Sequence, residues 1–471
     1  MVNMRILLKK MFLIAVCVYC QLAASLAYAD GTKATSGYRD YVDAYFTSIA
    51  AASCLGSYLE DRSAEFSYLR SMGWSVESHI DRLGNVETHY SVAKRYFYDV
   101  KKEIFLITFR GSASKDDWKI NLKTKKVNYG GNTLQEMEEL AEAPAAAKAP
   151  AVHGGFNTYA HNILKNSVVA SDGSLMGVFN YARNKDNTRL LLVGHSMGGA
   201  VATLVAARLA DLGFPRERLY VINFGAPAIG NDEFNKTYAD KLNILRITNT
   251  NDPIPGSLQT FFSGYKQCGR NEKYHLSMQI GNIQHNMGMY FDHSIINLHK
   301  IKDREIASGL IKRTPRSRII EGKPKVALWI RNSPGLAKMS LMPDLRRLLI
   351  DQYALILPSY MILNDKLDEN KEYLVQDIVD KSVKFGADYV LVCGIDGKQV
   401  KESDKYWYLT YEQWLFDKKG NMLTMVNFSK KTVPAVGNVQ VAGECYMNAL
   451  KELNKHLTFI GPKKKLTVRQ V

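Results

Sequence analysis

The chain has 471 residues, of which 46% are hydrophobic and 23% are charged, and its formal net charge is +16. This composition excludes a wholly disordered chain, and the length exceeds what one hydrophobic core usually supports, so two domains are expected. The positive charge favours anionic surfaces such as phospholipid headgroups or envelope polymers, although it would serve solubility equally well. No nucleic-acid-binding motif accompanies it in the sequence.

The first 29 residues have the pattern of a secretory signal peptide. Three basic residues precede an apolar run at 11–20, and Ala27-Tyr-Ala29 offers small side chains for cleavage before Asp30. We predict cleavage after Ala29, and therefore a secreted or periplasmic protein; the alternative is an uncleaved membrane anchor. Cleavage would lower the net charge by three, to +13. No later segment has the length of a membrane span.

Cleavage would leave four cysteines, whose separations form no repeated framework and no metal-ligand spacing. An oxidising compartment permits up to two disulfides among them, and their pairing is open. These cysteines are Cys54, Cys268, Cys393 and Cys445.

Strand-like and helix-like segments alternate along the first 300 residues, and the first two strands flank a polar hairpin turn. The predicted strands cover residues 92–98, 104–109, 190–193, 219–224 and 242–247. The predicted helices cover residues 40–58, 155–168, 175–183 and 197–212. This order predicts a mixed sheet covered by helices, with ligand chemistry at the carboxyl ends of the strands.

A basic segment that contains Pro315, Gly322 and Pro324 separates this region from a second one. We predict a linker at 306–325 and a smaller α/β or α+β domain at 326–471, whose role the sequence leaves unknown. The sequence of that domain contains no phosphate loop, metal-ligand cluster or second nucleophile motif. Its predicted strands cover residues 326–330, 389–392, 406–417 and 422–427, and its predicted helices 345–356, 371–384 and 444–457.

The most informative motif is Gly194-His-Ser196-Met-Gly198, which lies between an apolar strand-like run and a helix-like run. Glycines on both sides leave room for a sharp strand-to-helix turn in which the serine takes strained backbone angles and presents its hydroxyl. We predict that Ser196 is a nucleophile. The alternative is an ordinary capping serine in a glycine turn.

A serine at its ordinary pKa is a weak nucleophile and needs a base, an orienting carboxylate and donors for an oxyanion. Asp252 follows a predicted strand in a proline-containing loop, where such an acid is expected, although it could simply cap a turn. The chain order serine, aspartate, histidine does not choose among the histidines after Asp252, which are His275, His285, His293 and His299. His195, beside the nucleophile, is predicted to have a supporting role.

Two backbone N–H groups are candidate oxyanion donors. Met197 directly follows the nucleophile at the start of a predicted helix, where N–H groups lack intrahelical partners. The strand at 104–109 ends in Arg110-Gly-Ser112, whose glycine lets the backbone turn inward, so the N–H of Ser112 is the second candidate.

Five blocks of this chain, followed by Asp292-His293, resemble the class 3 lipases, the family of the fungal triacylglycerol lipases, over about residues 40–300. The blocks are Phe109-Arg-Gly-Ser112, Val152-His-Gly-Gly-Phe156, Val193-Gly-His-Ser-Met-Gly-Gly-Ala200, Phe224-Gly-Ala-Pro227 and Asn251-Asp-Pro253. The resemblance implies an α/β-hydrolase domain at 30–305. It also implies a site with nucleophile Ser196, acid Asp252, base His293 and oxyanion donors Ser112 and Met197.

The resemblance further implies an exported carboxylic ester hydrolase that cleaves acylglycerol esters at a lipid interface through an acyl-enzyme, without a metal or organic cofactor. The alternatives are a phospholipase A1-type hydrolase and a catalytically idle envelope-binding protein that uses the hydrolase fold as a scaffold. A lid covers the site in this family, and here the corresponding interval is 114–151. Apolar residues recur on one helical face within it, which predicts an amphipathic lid or, alternatively, a surface loop.

Overall fold

The computed structural model describes residues 36–59, 64–83, 86–98, 100–112, 124–144, 146, 148–167, 173–250, 252–262, 264–275, 285–311, 317–331, 342–368, 371–399, 407–431 and 449. The predicted signal peptide, Cys445 and nearly all of the predicted C-terminal helix lie outside these residues. The chain divides into two compact units, which hold the described residues up to 311 and from 317 respectively.

The first unit is built on a seven-stranded sheet with the order β1-β2-β3-β6-β7-β8-β9. The first three strands are antiparallel, and all pairs from β3 to β9 are parallel, so the predicted mixed sheet is confirmed. Its strands are β1 (Ser75–Leu83), β2 (Val86–Phe97), β3 (Lys102–Phe109), β6 (Thr188–His195), β7 (Leu219–Phe224), β8 (Asn243–Asn249) and β9 (Arg270–Tyr274). A separate antiparallel pair consists of β4 (Lys126–Asn128) and β5 (Ala151–His153).

Nine helices accompany these strands among the described residues of the first unit. They are α1 (Ser36–Gly56), α2 (Ala64–Ser71), α3 (Leu134–Glu142), α4 (Gly154–Ser167), α5 (Leu175–Arg183), α6 (Met197–Asp211), α7 (Asp232–Tyr238), α8 (Ile254–Phe261) and α9 (Met287–Ala307). Helix α6 packs on β6 and β7, and α1 packs along α9.

Strand β6 and helix α6 form the buried centre of the first unit, which accounts for their apolar sequences. Every residue of β6 is buried, as a parallel strand covered on both faces requires. Helix α6 follows directly and buries all but its last two residues, Ala210 and Asp211. This pair of buried elements holds the turn at Ser196 between rigid supports.

The three described cysteines, Cys54, Cys268 and Cys393, are free thiols. Burial raises the pKa of Cys54 and of Cys393, in the latter case to about 12. No helix among the described residues combines the length and the hydropathy needed to cross a bilayer.

The second unit contains a five-stranded sheet with the order β11-β10-β12-β13-β14, in which β10 is parallel to both of its neighbours and the last two pairs are antiparallel. Its strands are β10 (Val326–Ile330), β11 (Tyr360–Ile362), β12 (Tyr389–Gln399), β13 (Trp407–Asp417) and β14 (Met422–Lys431). Its described helices are α10 (Met342–Ile356) and α11 (Val375–Lys384).

The interval predicted as a linker, 306–325, includes residues that contact elements of the two units. Helix α9 extends to Ala307. Arg318 forms backbone hydrogen bonds with Tyr360 in both directions, and its guanidinium donates to the carbonyl oxygen of Leu357. The described residues at the two ends of this interval therefore contact elements of the first and the second unit respectively, and the linker stays a prediction.

Candidate active site

Ser196 lies at the sharp turn between β6 and α6. Its φ of 57° and ψ of −128° are angles that a residue with a side chain rarely adopts, as expected for a strained strand-to-helix turn. Its backbone N–H donates to the carbonyl oxygen of Phe224 at 2.9 Å, which ties the turn to the neighbouring strand β7.

The glycines around Ser196 are required by close backbone contacts. A Cβ atom at Gly194 would overlap the backbone of Gly198. One at Gly198 would overlap the carbonyl oxygen of Phe109, at the end of β3. The motif therefore brings the first turn of α6 into contact with the strand end that leads to Ser112.

His285 lies between Ser196 and Asp252. Its Nε2 is 2.9 Å from Ser196 Oγ, and its Nδ1 is 2.9 Å from Asp252 Oδ2 and 3.0 Å from Oδ1. An ionised carboxylate can only accept hydrogen bonds, so Nδ1 carries the proton and Nε2 is free to accept the hydroxyl proton of Ser196. This is the arrangement of a serine, histidine and aspartate triad.

Asp252 is held by two further donors. The backbone N–H of Ile254 donates to Oδ1 at 2.9 Å, and the hydroxyl of Tyr290 donates to Oδ2 at 2.5 Å. The Asp252 side chain is fully buried, whereas 22% of the His285 side chain is accessible. Burial and the negative charge of Asp252 raise the pKa of Tyr290, so this phenol stays a donor.

His293, the histidine predicted to be the base, does not contact Ser196. It lies within α9, where its Nδ1 is 2.8 Å from the side-chain oxygen of Asn249, and it is only 5% exposed. Burial lowers its pKa to about 4. It lies seven positions after the N-cap Asn286, about 10 Å along the helix axis, so it cannot replace His285. The prediction of His293 is therefore corrected to His285.

The other histidine candidates lie elsewhere. His275 contacts the hydroxyl of Thr250 at 2.8 Å and is exposed. His299 is buried in α9. His195 points away from Ser196 and contacts the backbone carbonyl oxygen of His285 instead.

One local signal in the sequence favours His285 over His293. Asn286 is a good N-cap residue, and its side chain accepts a hydrogen bond from the N–H of Gly288 at 2.8 Å. The apolar positions that follow, Tyr290, Phe291 and Ile295, have helical spacing. That pattern places His293 inside a helix and leaves His285 in the loop before it.

The two predicted oxyanion residues lie side by side. The hydroxyl of Ser112 donates to the sulfur of Met197 at 3.6 Å. Met197 is the first residue of α6, directly after Ser196, and is 1% exposed. Their side-chain contact places the end of β3 beside the helix N-terminus that follows the nucleophile.

The segment predicted as a lid contains helix α3. Its Met137 is fully buried, while Leu140 is 39% exposed. The helix packs on β4 and α4, and Glu138 pairs with Lys165 of α4 at 3.3 Å. These contacts support α3 from the side of α4, and the role of a lid stays a prediction.

Comparison with known proteins shows a similarity to one family over part of the chain. Residues 106–261 match the sequence profile described as Lipase (class 3). The secreted mono- and diacylglycerol lipase A of Penicillium camembertii is 44% identical over 69 residues, which are 15% of this chain and 22% of that protein. The chloroplastic galactolipase DONGLE of Arabidopsis thaliana is 30% identical over 177 residues, 35% of this chain and 36% of that protein. The chain thus spans between about a fifth and a third of the length of these relatives.

Solved structures of fungal lipases are also similar to this chain. Rhizomucor miehei triacylglyceride lipase has a TM-score of 0.39 and 20% identity, covering 52% of this chain and 82% of that one. The Lip2 lipase of Yarrowia lipolytica has a TM-score of 0.35 and 16% identity, covering 51% of this chain and 80% of that one.

Proposed function

We propose that this chain hydrolyses carboxylic esters of lipids, with Ser196 as nucleophile, His285 as base and Asp252 as the orienting acid, because residues 106–261 match the class 3 lipase profile. The observation that carries the proposal is the continuous line of contacts from Ser196 Oγ through both nitrogens of His285 to the buried carboxylate. Neither a capping serine nor a structural histidine requires this arrangement.

In the proposed reaction, His285 Nε2 takes the Ser196 hydroxyl proton while Oγ attacks the ester carbonyl carbon. The N–H groups of Ser112 and Met197 stabilise the oxyanion of the tetrahedral intermediate. When this intermediate collapses, the ester C–O bond breaks and His285 returns the proton to the departing alcohol. Water, deprotonated by His285, then attacks the acyl carbonyl carbon. The bond from this carbon to Ser196 Oγ breaks, His285 returns the proton to Oγ, and the fatty acid is released.

Acylglycerols are the first candidate substrates, since the fungal relatives are described as mono- and diacylglycerol lipases. Phospholipids are the second, because rice relatives are described as phospholipases A1 and this chain is strongly basic. Fatty-acid release from diacylglycerol and from phosphatidylglycerol, measured in the same detergent micelles, would rank them. Preferential release from the sn-1 position of phosphatidylglycerol would favour the phospholipase.

A fluorophosphonate probe tests the chemistry directly, because it labels only an activated serine. We expect the wild type and the control Ser308→Ala to be labelled and Ser196→Ala to remain unlabelled, with all three equally folded by circular dichroism. Ser308 suits the control because it lies at the end of α9, where its hydroxyl donates to Glu305 and accepts from the N–H of Leu310. A folded wild type that is not labelled would favour the alternative of an idle envelope-binding protein.

We also propose that a lipid surface contacts the end of helix α8. This helix starts two residues after Asp252 and ends in Phe261, which is 77% exposed, followed by Phe262, which is 42% exposed. Lys126 lies close by, with its ammonium 4.5 Å from the ring centroid of Tyr265. Exposed aromatic rings beside cationic groups favour an anionic interface.

Replacing both phenylalanines by serine tests this surface. We expect binding to vesicles that contain phosphatidylglycerol to fall about tenfold, because two apolar side chains no longer enter the interface, while hydrolysis of a short soluble ester stays unchanged. Tyr98→Ser is a matched control, since Tyr98 is 78% exposed but lies at the β2–β3 turn. An equal loss of binding in this control would show that the effect is not specific to α8.

Export and the second unit complete the proposal. The basic, apolar N-terminus supports a signal peptide and a secreted or periplasmic protein, which N-terminal sequencing of the mature chain would test, with Asp30 expected as the first residue. All the residues of the proposed triad and oxyanion site precede 300, so we assign localisation or surface binding, and no chemistry, to residues 326–471.

A further inference from the structure

His195 makes a set of contacts that the proposed reaction does not use. Its Nε2 is 2.7 Å from the backbone carbonyl oxygen of His285, and its Nδ1 is 2.8 Å from the hydroxyl of Tyr58. The His195 and His285 rings lie 4.6 Å apart between centroids. His195 is only 6% exposed, so these two protein groups take the place of water around its ring.

The direction of both hydrogen bonds follows from chemistry. A carbonyl oxygen can only accept, so Nε2 of His195 carries a proton and donates it to His285. In a neutral imidazole the other nitrogen is then an acceptor, and Nδ1 accepts a hydrogen bond from the hydroxyl of Tyr58. Burial and the neighbouring His285 hold the pKa of His195 well below its usual range, which keeps this ring neutral.

Tyr58 links this chain of hydrogen bonds to the oxyanion side of the site. It follows the end of α1, and its hydroxyl lies against Gly111, where an added Cβ atom would overlap it. Gly111 directly precedes Ser112, one of the proposed oxyanion donors. The same hydroxyl therefore contacts the loop that carries Ser112 and the ring that holds His285.

We propose that Tyr58 and His195 are positioning residues that fix the backbone of His285 and so hold its imidazole in line with Ser196. This inference rests on the proposed hydrolase function. Proton transfer requires Nε2 of His285 to stay within hydrogen-bond distance of Ser196 Oγ, and a shift of the loop before α9 would lengthen that contact. Because His195 stays neutral, it does this without placing a second positive charge beside the imidazolium that forms at His285.

Tyr58 acts only through His195 in this proposal. Without the phenol, Nδ1 of His195 loses the partner that fixes the rotation of the ring, and the hydrogen bond from Nε2 to the carbonyl oxygen of His285 weakens. The loss from Tyr58→Phe should therefore equal the loss from removing the His195 ring nitrogens, and the two losses should not add.

The test uses full-length protein and a short soluble ester, p-nitrophenyl butyrate. We expect Tyr58→Phe and His195→Phe each to lower kcat about tenfold, the effect of one ordinary hydrogen bond, with KM changed less than twofold. The double variant should also lose about tenfold, where independent effects would give about a hundredfold. His195→Gln, whose amide nitrogen can still reach the carbonyl oxygen of His285, should recover most of the loss.

Tyr129→Phe is the matched control, since the Tyr129 hydroxyl is also buried and donates to a backbone carbonyl oxygen, that of Leu204, two turns into α6. It should lower the melting temperature and leave kcat within twofold. Should Tyr58→Phe fail to fold, the comparison of His195→Phe with His195→Gln decides the same question. An active wild type with an unchanged Tyr58→Phe kcat, with additive losses, or with no recovery in His195→Gln would overturn this inference alone. A folded wild type without esterase activity would overturn the proposed function and this inference together.

Discussion

The site is assembled from two segments that are fixed in different ways. The nucleophile turn, residues 194–199, is fixed by backbone contacts so close that no additional atom fits at Gly194 or Gly198. The histidine segment, residues 285–295, is fixed by polar side chains from distant parts of the chain, since His285 contacts Ser196 and Asp252. The first segment therefore depends on glycines that leave room for the neighbouring backbone. The second depends on specific hydrogen-bond partners.

The largest effect should come from the histidine segment. We expect His285→Ala to lower kcat/KM for a soluble ester by about four orders of magnitude, because Ser196 loses its base. His293→Ala should stay within about threefold of wild type per folded molecule, since His293 contacts Asn249 instead. Steady-state rates normalised to the folded fraction from circular dichroism would check both. A folded His293→Ala variant as inactive as His285→Ala would return the base to His293.

The nucleophile turn should respond to a single added methyl group. Gly198→Ala should destabilise the protein by about 3 kcal/mol, because the new Cβ atom must displace the backbone at Phe109. Urea unfolding followed by tryptophan fluorescence would measure this. Gly256→Ala is the control, since a Cβ atom there meets nothing within 4 Å and alanine suits its place in α8 better than glycine. Equal stabilities of the two variants would contradict the steric explanation.

The histidine segment should also be sensitive to acid. The pKa of His293 is about 4 in the folded protein, against about 6.5 in an unfolded chain, so the unfolded state binds more protons between these values. Stability should therefore fall as the pH drops from about 6.5 to about 4, by up to about 3 kcal/mol from this residue alone. His293→Gln should flatten this part of the pH profile in urea titrations, whereas the exposed His275→Gln should not. If His293→Gln has the same pH dependence of stability as the wild type, burial of His293 does not destabilise the protein at low pH.

Most of the sheet and one half of the site could be predicted from the sequence, because their signals are local. The strand before Ser196 and the helix after it have apolar patterns that need no distant partner to be recognised. Strand β9 was missed since it is largely exposed and reads Arg-Asn-Glu-Lys-Tyr, without apolar alternation. His285 was one of four candidate histidines and was not chosen, because its defining contacts join residues 33 and 89 positions away in the chain.

The resemblance to a family pattern contributed to that error. The pair Asp292-His293 matches the family pattern in amino-acid identity, and the aromatic pair Tyr290-Phe291 directly precedes it. In the folded chain those aromatic residues belong to α9, and the hydroxyl of Tyr290 donates a hydrogen bond to Asp252. The helical register, which the sequence does contain, would have weighed against a base in the middle of that helix.

Helix α9 also determines at which stage of folding the site is assembled. It begins immediately after His285 and Asn286, and it packs along α1, to which Arg304 is tied by an ion pair with Asp40, a separation of 264 residues. Contacts of such long range form late, after the intervening chain has left the ribosome. A chain still being synthesised therefore carries the nucleophile turn before His285 is in place, and the proposed triad is complete only once α9 has packed.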